Sequence, residues 1–160
     1  MKTSKGFTLI EMVIVVAIIL IIMAIAVPSF LQSRIAANES AAAATIRTLN
    51  SAQVSYNSAY PTMGYASTLS SLGGTCTGST VPTSTSACLI DQDLQTGTRS
   101  GYSYVVTNVS GTPAGSYNVI GAPVMKGYSG NRSFCSYDDA VVRVSMSTIT
   151  TCDGTIPSQQ

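Results

Sequence analysis

The chain has 160 residues and a mass of 16.6 kDa, which is room for one compact domain and an appendage but not for two domains. Eight Lys and Arg against seven Asp and Glu leave a formal net charge of +1, so there is no basic stripe for nucleic acid and no acidic tail. Histidine and tryptophan are absent and charged residues make up only 9%. The commonest general base and the commonest nitrogen ligand of zinc are therefore missing, and no enzymatic role is expected.

The first element is apolar. Residues 12–27 carry no charged or strongly polar side chain, and residues 7–27 give 27 − 7 + 1 = 21 positions, against roughly 20 needed for a helix to cross the hydrocarbon core of a bilayer. Lys2 and Lys5 precede this run and Arg34 and Arg47 follow it, which favours an N-terminus on the cytoplasmic side. Ala24-Ile25-Ala26 mimics a secretory cleavage site, yet helix-forming sequence continues past it, unlike the sequence after an ordinary signal peptide. One residue is out of place: Glu11, an acid inside a segment that reads as membrane helix. A carboxylate in a low-dielectric medium is costly unless a cation pairs with it.

The residues around that acid are Lys5-Gly6-Phe7-Thr8-Leu9-Ile10-Glu11, directly before the apolar run. This stretch resembles the N-terminal processing and methylation motif of type IV pilins and of type II secretion pseudopilins. The resemblance is strong over residues 1 to about 60 and architectural beyond them, and it implies an α+β fold, with a long N-terminal helix laid on a small antiparallel sheet. It also implies cleavage between Gly6 and Phe7 by a prepilin peptidase, methylation of the new Phe7 amine, and survival of the apolar helix. Glu11 lies one helical turn from that amine. In the family such a glutamate attracts the N-terminal amine of the next subunit, and the resemblance carries that role to Glu11. The implied partners are prepilin peptidase, the inner-membrane pilus assembly machinery, membrane lipid before assembly, and further copies of the chain in a helical filament. The implied locations are the bacterial inner membrane and then an extracellular pilus. No cofactor is expected. The type II secretion pseudopilin is the alternative, and an uncleaved, membrane-anchored lectin, which would keep residues 1–6, is the rival from another class.

Pro28 comes next, and a proline inside a helix removes one backbone bond and clashes with the carbonyl four residues earlier, so a kink or local melting is expected near Ala24. Helical spacing then resumes, with Ile35, Ala42, Ile46, Leu49, Gln53 and Tyr56 near one face, up to a stop at Tyr60-Pro61. From Pro61 onward short β-prone runs alternate with Gly, Pro, Asn and Ser. Residues 101–109 and 116–124 read as strands joined through residues 110–115, and residues 132–146 read as a hairpin turning near Asp138-Asp139, for three or four strands in all. The expected organisation is a leader at 1–6, an apolar assembly helix at 7–28, its amphipathic continuation at 29–59, and a globular head at 60–160.

All four cysteines, Cys76, Cys88, Cys135 and Cys152, lie beyond the apolar run, on the side expected to be oxidising. Three pairings are possible. Cys76 with Cys88 and Cys135 with Cys152 are preferred because each closes a local loop, and the crossed pairings stay open. Metal through these thiols is disfavoured by their spacing. Asp91 with Asp93, or Asp138 with Asp139, are candidate oxygen ligands for Ca²⁺, though aspartates fill turns readily without one.

Overall fold

The computed structural model describes residues 6–76 and 81–159, with Asn108 described only in its backbone. It divides into two compact units, residues 1–34 and residues 35–160, and the long helix α1 (Leu9–Ala59) supplies residues to each.

In the first unit α1 starts at Leu9 and remains helical through Ala24 and on both sides of Pro28. The local melting expected near Ala24 is therefore absent. A proline deletes a single N–H donor, and the helical turns on either side of it carry the helix through.

In the second unit α1 buries Glu39, Ala42, Ala43, Thr45, Ile46, Leu49, Asn50, Ala52, Gln53 and Tyr56. The chain then forms two single-turn helices, α2 (Leu69–Leu72) and α3 (Gln92–Gln95). Thr68 caps α2 by accepting a hydrogen bond from the Ser71 amide at 3.2 Å. Among the described residues the sheet has five strands in sequential antiparallel order: β1 (Thr98–Arg99), β2 (Tyr102–Gly111), β3 (Ala114–Pro123), β4 (Ser133–Tyr137) and β5 (Arg143–Ser145). The three or four strands expected from sequence omit β1, whose two exposed residues are too few to show alternation.

The period of two along each strand sorts the sheet's faces. Tyr102, Tyr104, Tyr117, Val119 and Phe134 share one buried cluster with Ala42, Ile46, Leu49 and Tyr56 of α1. The opposite face is covered by the chain's C-terminal segment, where Ile120 and Cys135 pack with Ile149 and Cys152. That segment also pairs with the free edge of β5, through a bridge between Arg143 and Ser158 and a bond from the Val144 amide to the Pro157 carbonyl at 3.0 Å. Helix, sheet and C-terminal segment thus make an α+β unit with the sheet in the middle. Gly121, paired with Tyr104 across β2 and β3, lets the tyrosine ring lie flat over the backbone; a Cβ there would sit 3.0 Å from Cε1 of Tyr104 and 3.4 Å from Cδ1 of Ile46.

Candidate functional site: the exposed N-terminal helix and its glutamate

The helix begins with a reciprocal cap. Thr8 occupies the N-cap position, its backbone N–H and hydroxyl both donate to Oε2 of Glu11 at 2.8 and 2.6 Å, and its hydroxyl oxygen accepts from the Glu11 amide at 3.3 Å. This is the Thr-x-x-Glu capping box, which satisfies two orphan donors of the first turn and favours an acid at the positive end of the helix dipole. Both side-chain bonds fall on Oε2, so Oε1 keeps its acceptor capacity. Gly6 and Phe7 stand just ahead of the cap and are exposed, and a Cβ built on Gly6 meets nothing within 4 Å. Sequence reading had assigned no role to Thr8, although the Thr-x-x-Glu spacing was there to be read.

Beyond the cap comes a surface that water does not suit. The large apolar side chains from Phe7 to Phe30 are all exposed, none by less than 47%. The helix is long and apolar enough to span a membrane, and its most apolar window has no part buried within the chain. An apolar surface of this length, bare on every side, needs lipid or other helices around it.

Within the C-terminal unit, the second half of α1 is held by polar side chains as well as by the core. Glu39, 8% exposed at its side chain, pairs with Arg132 at 2.6 Å and accepts from the Asn131 and Arg132 amides at 2.8 and 3.1 Å. Burial by itself would raise this carboxyl, but those donors outweigh it and hold Glu39 below the usual carboxylate range. Asn50 donates to the Ser136 hydroxyl and the Ala140 carbonyl, and Gln53 exchanges two bonds with the backbone of Ala66 at 3.0 and 2.9 Å. Tyr56 donates to the Ser84 carbonyl at 2.6 Å. Glu39, Asn50, Gln53 and Tyr56 thus each hold a different segment of the unit. Glu39, Ala42, Ile46, Leu49, Gln53 and Tyr56 follow one another at alternating steps of three and four, the seam of a helix that packs along one line. The expected face named Gln53 but omitted Glu39, whose partner Arg132 is distant in sequence.

The cysteines pair as Cys76–Cys88 and Cys135–Cys152, with Cα separations of 5.7 and 5.8 Å. Of the candidate Ca²⁺ ligands, Asp91 pairs with Arg99 at 3.0 Å. Asp139 takes a two-pronged contact from Arg143 at 2.6 and 3.0 Å and a bond from the Val141 amide. Burial pushes Asp139 up, but the Arg143 and Val141 donors prevail and keep it low. Arg143 also lies over the Tyr137 ring, 4.3 Å from its centre. Both carboxylate oxygens of Asp139 are thus engaged by Arg143.

The fold and the N-terminal site define a membrane-anchored precursor with an α+β C-terminal unit. Residues 1–27 match the family model described as the prokaryotic N-terminal methylation motif, the signature of type IV pilin-type precursors, which implies processing by prepilin peptidase and assembly into filaments. No curated protein and no solved structure matches the chain.

Proposed function

We propose that the chain is the precursor of a structural subunit of a type IV pilus. Prepilin peptidase cuts between Gly6 and Phe7 and methylates the Phe7 amine. Residues 1–6 are the leader, 7–28 the assembly helix bent at Pro28, 29–59 its amphipathic continuation and 60–160 the head. The mature helix is held in the inner membrane and then polymerises, Glu11 receiving the amine of an incoming subunit. The filament serves adhesion or twitching motility, and the subunit catalyses no reaction.

The observation that carries this reading is the conjunction of the methylation motif at residues 1–27 with a helix whose apolar side chains are bare from Phe7 to Phe30. A polymer of such helices buries that surface without lipid, which is what lets a subunit leave the membrane. Two disulfides within a C-terminal unit of modest size also suit a life outside the cell, each contributing roughly 2–4 kcal/mol.

The test is the intact mass and N-terminal sequence of the protein in filaments sheared from the native cell surface. A chain of 160 − 6 = 154 residues beginning with N-methylated Phe7 is the expected result. The same processed chain confined to the cell envelope would point to a secretion pseudopilin instead, and retention of residues 1–6 would rule out both.

A further inference from the structure

Where α1 stops, the chain turns against the start of β3. Gly64, at φ +78°, lies so near that strand that a Cβ on it would run into the Ala114 backbone. The contact is a one-residue bridge, in which the Tyr65 amide donates to the Ala114 carbonyl at 3.0 Å and the Ala114 amide to the Met63 carbonyl at 2.9 Å. A third segment is pinned beside these two. Thr83 and Ser86 exchange two backbone bonds at 3.0 Å, and the buried Tyr56 donates from its hydroxyl to the Ser84 carbonyl between them at 2.6 Å.

These three segments enclose a cleft of about 400 Å³, the size of a small-molecule site, with walls already fixed by the bonds just named. Tyr56 and Tyr65 are its aromatic lining. Tyr65 is half-buried and packs on Tyr117 with ring centres 4.7 Å apart, which holds its plane. The polar lining is hydroxyl, from Thr62, Ser67, Ser71, Ser84, Thr85 and Thr112. Among the described residues that line the cleft none carries a charge. That composition selects by chemistry. An ion would lose water here and gain no counter-charge. A wholly apolar molecule would strip water from hydroxyls and return nothing. A proline-rich peptide suits tyrosine walls but offers its backbone chiefly as acceptor, whereas serine and threonine hydroxyls both donate and accept. A sugar ring matches both features, with hydroxyls that exchange hydrogen bonds in either direction and a C–H face that covers an aromatic ring.

We propose that this cleft binds a neutral saccharide unit of a surface glycan, its C–H face on Tyr65 and its hydroxyls bonded to Thr62, Ser67 and Thr85. The proposal deepens the adhesion named above by giving the chemical class that the head holds, and it rests on that reading for its purpose. Binding itself is measured on the unassembled chain. A failure to bind therefore overturns the cleft and leaves the filament reading, which the N-terminal sequence of sheared filaments decides, where it stands.

The full-length chain is placed in phospholipid nanodiscs free of sugar-based detergent, and saturation-transfer NMR is recorded with the methyl glycosides of glucose, galactose, mannose and N-acetylglucosamine. Methyl glucuronide and decaproline are the comparison probes. Saturation of at least one neutral glycoside is expected, strongest on ring C–H protons, with a Kd on the order of 1 mM for a single ring. The triple variant Thr62→Val, Ser67→Ala and Thr85→Val removes three exposed hydroxyls from the cleft without changing its shape. It is expected to weaken binding about fivefold or more, while Tyr65→Phe, which keeps the aromatic face, stays within about threefold. Thr98→Val with Ser103→Ala, two exposed hydroxyls outside the cleft, is expected to bind as the unaltered chain does. Circular dichroism confirms that each variant is folded. No saturation of any neutral glycoside overturns the proposal, as does binding that the triple variant leaves unchanged. Preference for methyl glucuronide overturns the neutral class, and binding of decaproline alone reassigns the cleft to a peptide.

Discussion

Glu11 has two tasks that substitutions can separate. As the third helical residue it closes the capping box with Thr8; as an anion it is proposed to meet a subunit's amine. Glutamine serves a capping box nearly as well as glutamate but carries no charge. Glu11→Gln is therefore expected to leave helix content and membrane insertion intact and to cut recovered filaments tenfold or more, on the order of one lost charge contact. Thr8→Ala is expected to do the reverse, fraying the first turn by about 1 kcal/mol while filaments still form. Filament yield and helix circular dichroism check both. Glu39 is a separate case, because its role is structural. Glu39→Ala leaves the Asn131 and Arg132 amides without an acceptor, though Arg132, 38% exposed, can turn to water. A loss of about 2–3 kcal/mol in urea unfolding is expected. Glu39 and Asp139 both titrate lower in the fold than in the unfolded chain. The unfolded chain then binds more protons in the acid range, so stability is complete above about pH 4–5 and declines as pH falls through the folded values. An acid titration of Glu39→Ala should show a shallower decline. Glu39 is not legible in the sequence for a physical reason: a lone acid on a helix looks exposed until Arg132, 93 positions away, is brought to it.

At the level of elements, α1 is one continuous helix doing different work on each side of Arg34. Its alanine-rich second half and its heptad-like spacing were legible, and so was its stop at Tyr60-Pro61 one residue after Ala59. The strands β2, β3 and β4 were legible as well, because alternation and turn residues mark them. β1 was not, since it exists only through pairing with β2. The disulfides allow a comparison by magnitude. Their sequence separations of 12 and 17 differ by only about 0.3 kcal/mol in loop-closure entropy, so chain topology does not rank them. Burial does: Cys135 and Cys152 are 0 and 6% exposed and sit in the core under the C-terminal segment, whereas Cys76 is exposed. The pair Cys135→Ala and Cys152→Ala is therefore expected to cost more than Cys76→Ala and Cys88→Ala, by about 1–2 kcal/mol of lost packing. It should also release residues 153–159 to rapid hydrogen exchange.

For the molecule as a whole, the proposed cleavage after Gly6 would change the sign of the charge. The precursor carries Lys2 and Lys5 among eight cations; removing residues 1–6 leaves six cations against seven acids, 6 − 7 = −1 in place of +1. The processed chain should focus below the precursor's isoelectric point of about 7.6, which isoelectric focusing of the two forms checks directly. Lys2 and Lys5 are also the charges expected to favour a cytoplasmic N-terminus. The proposed cleavage would thus remove a barrier to drawing the helix out of the bilayer while exposing the amine that Glu11 is proposed to receive.

What the amino-acid sequence determined by itself is everything that depends on neighbours along the chain. The motif around Gly6, Phe7 and Glu11, the length of the apolar run, the helix spacing and the main hairpins are set by local stereochemistry and by the period at which apolar residues recur. What only the tertiary structure decided is everything that depends on residues far apart. That includes the Glu39–Arg132 pair, the polar grips of Asn50 and Gln53, the C-terminal segment closing the sheet's second face, and the meeting of Lys126 with Met146. No periodicity encodes such contacts, because each is made when chain closure brings two remote segments together, at an entropic cost that the packed core offsets.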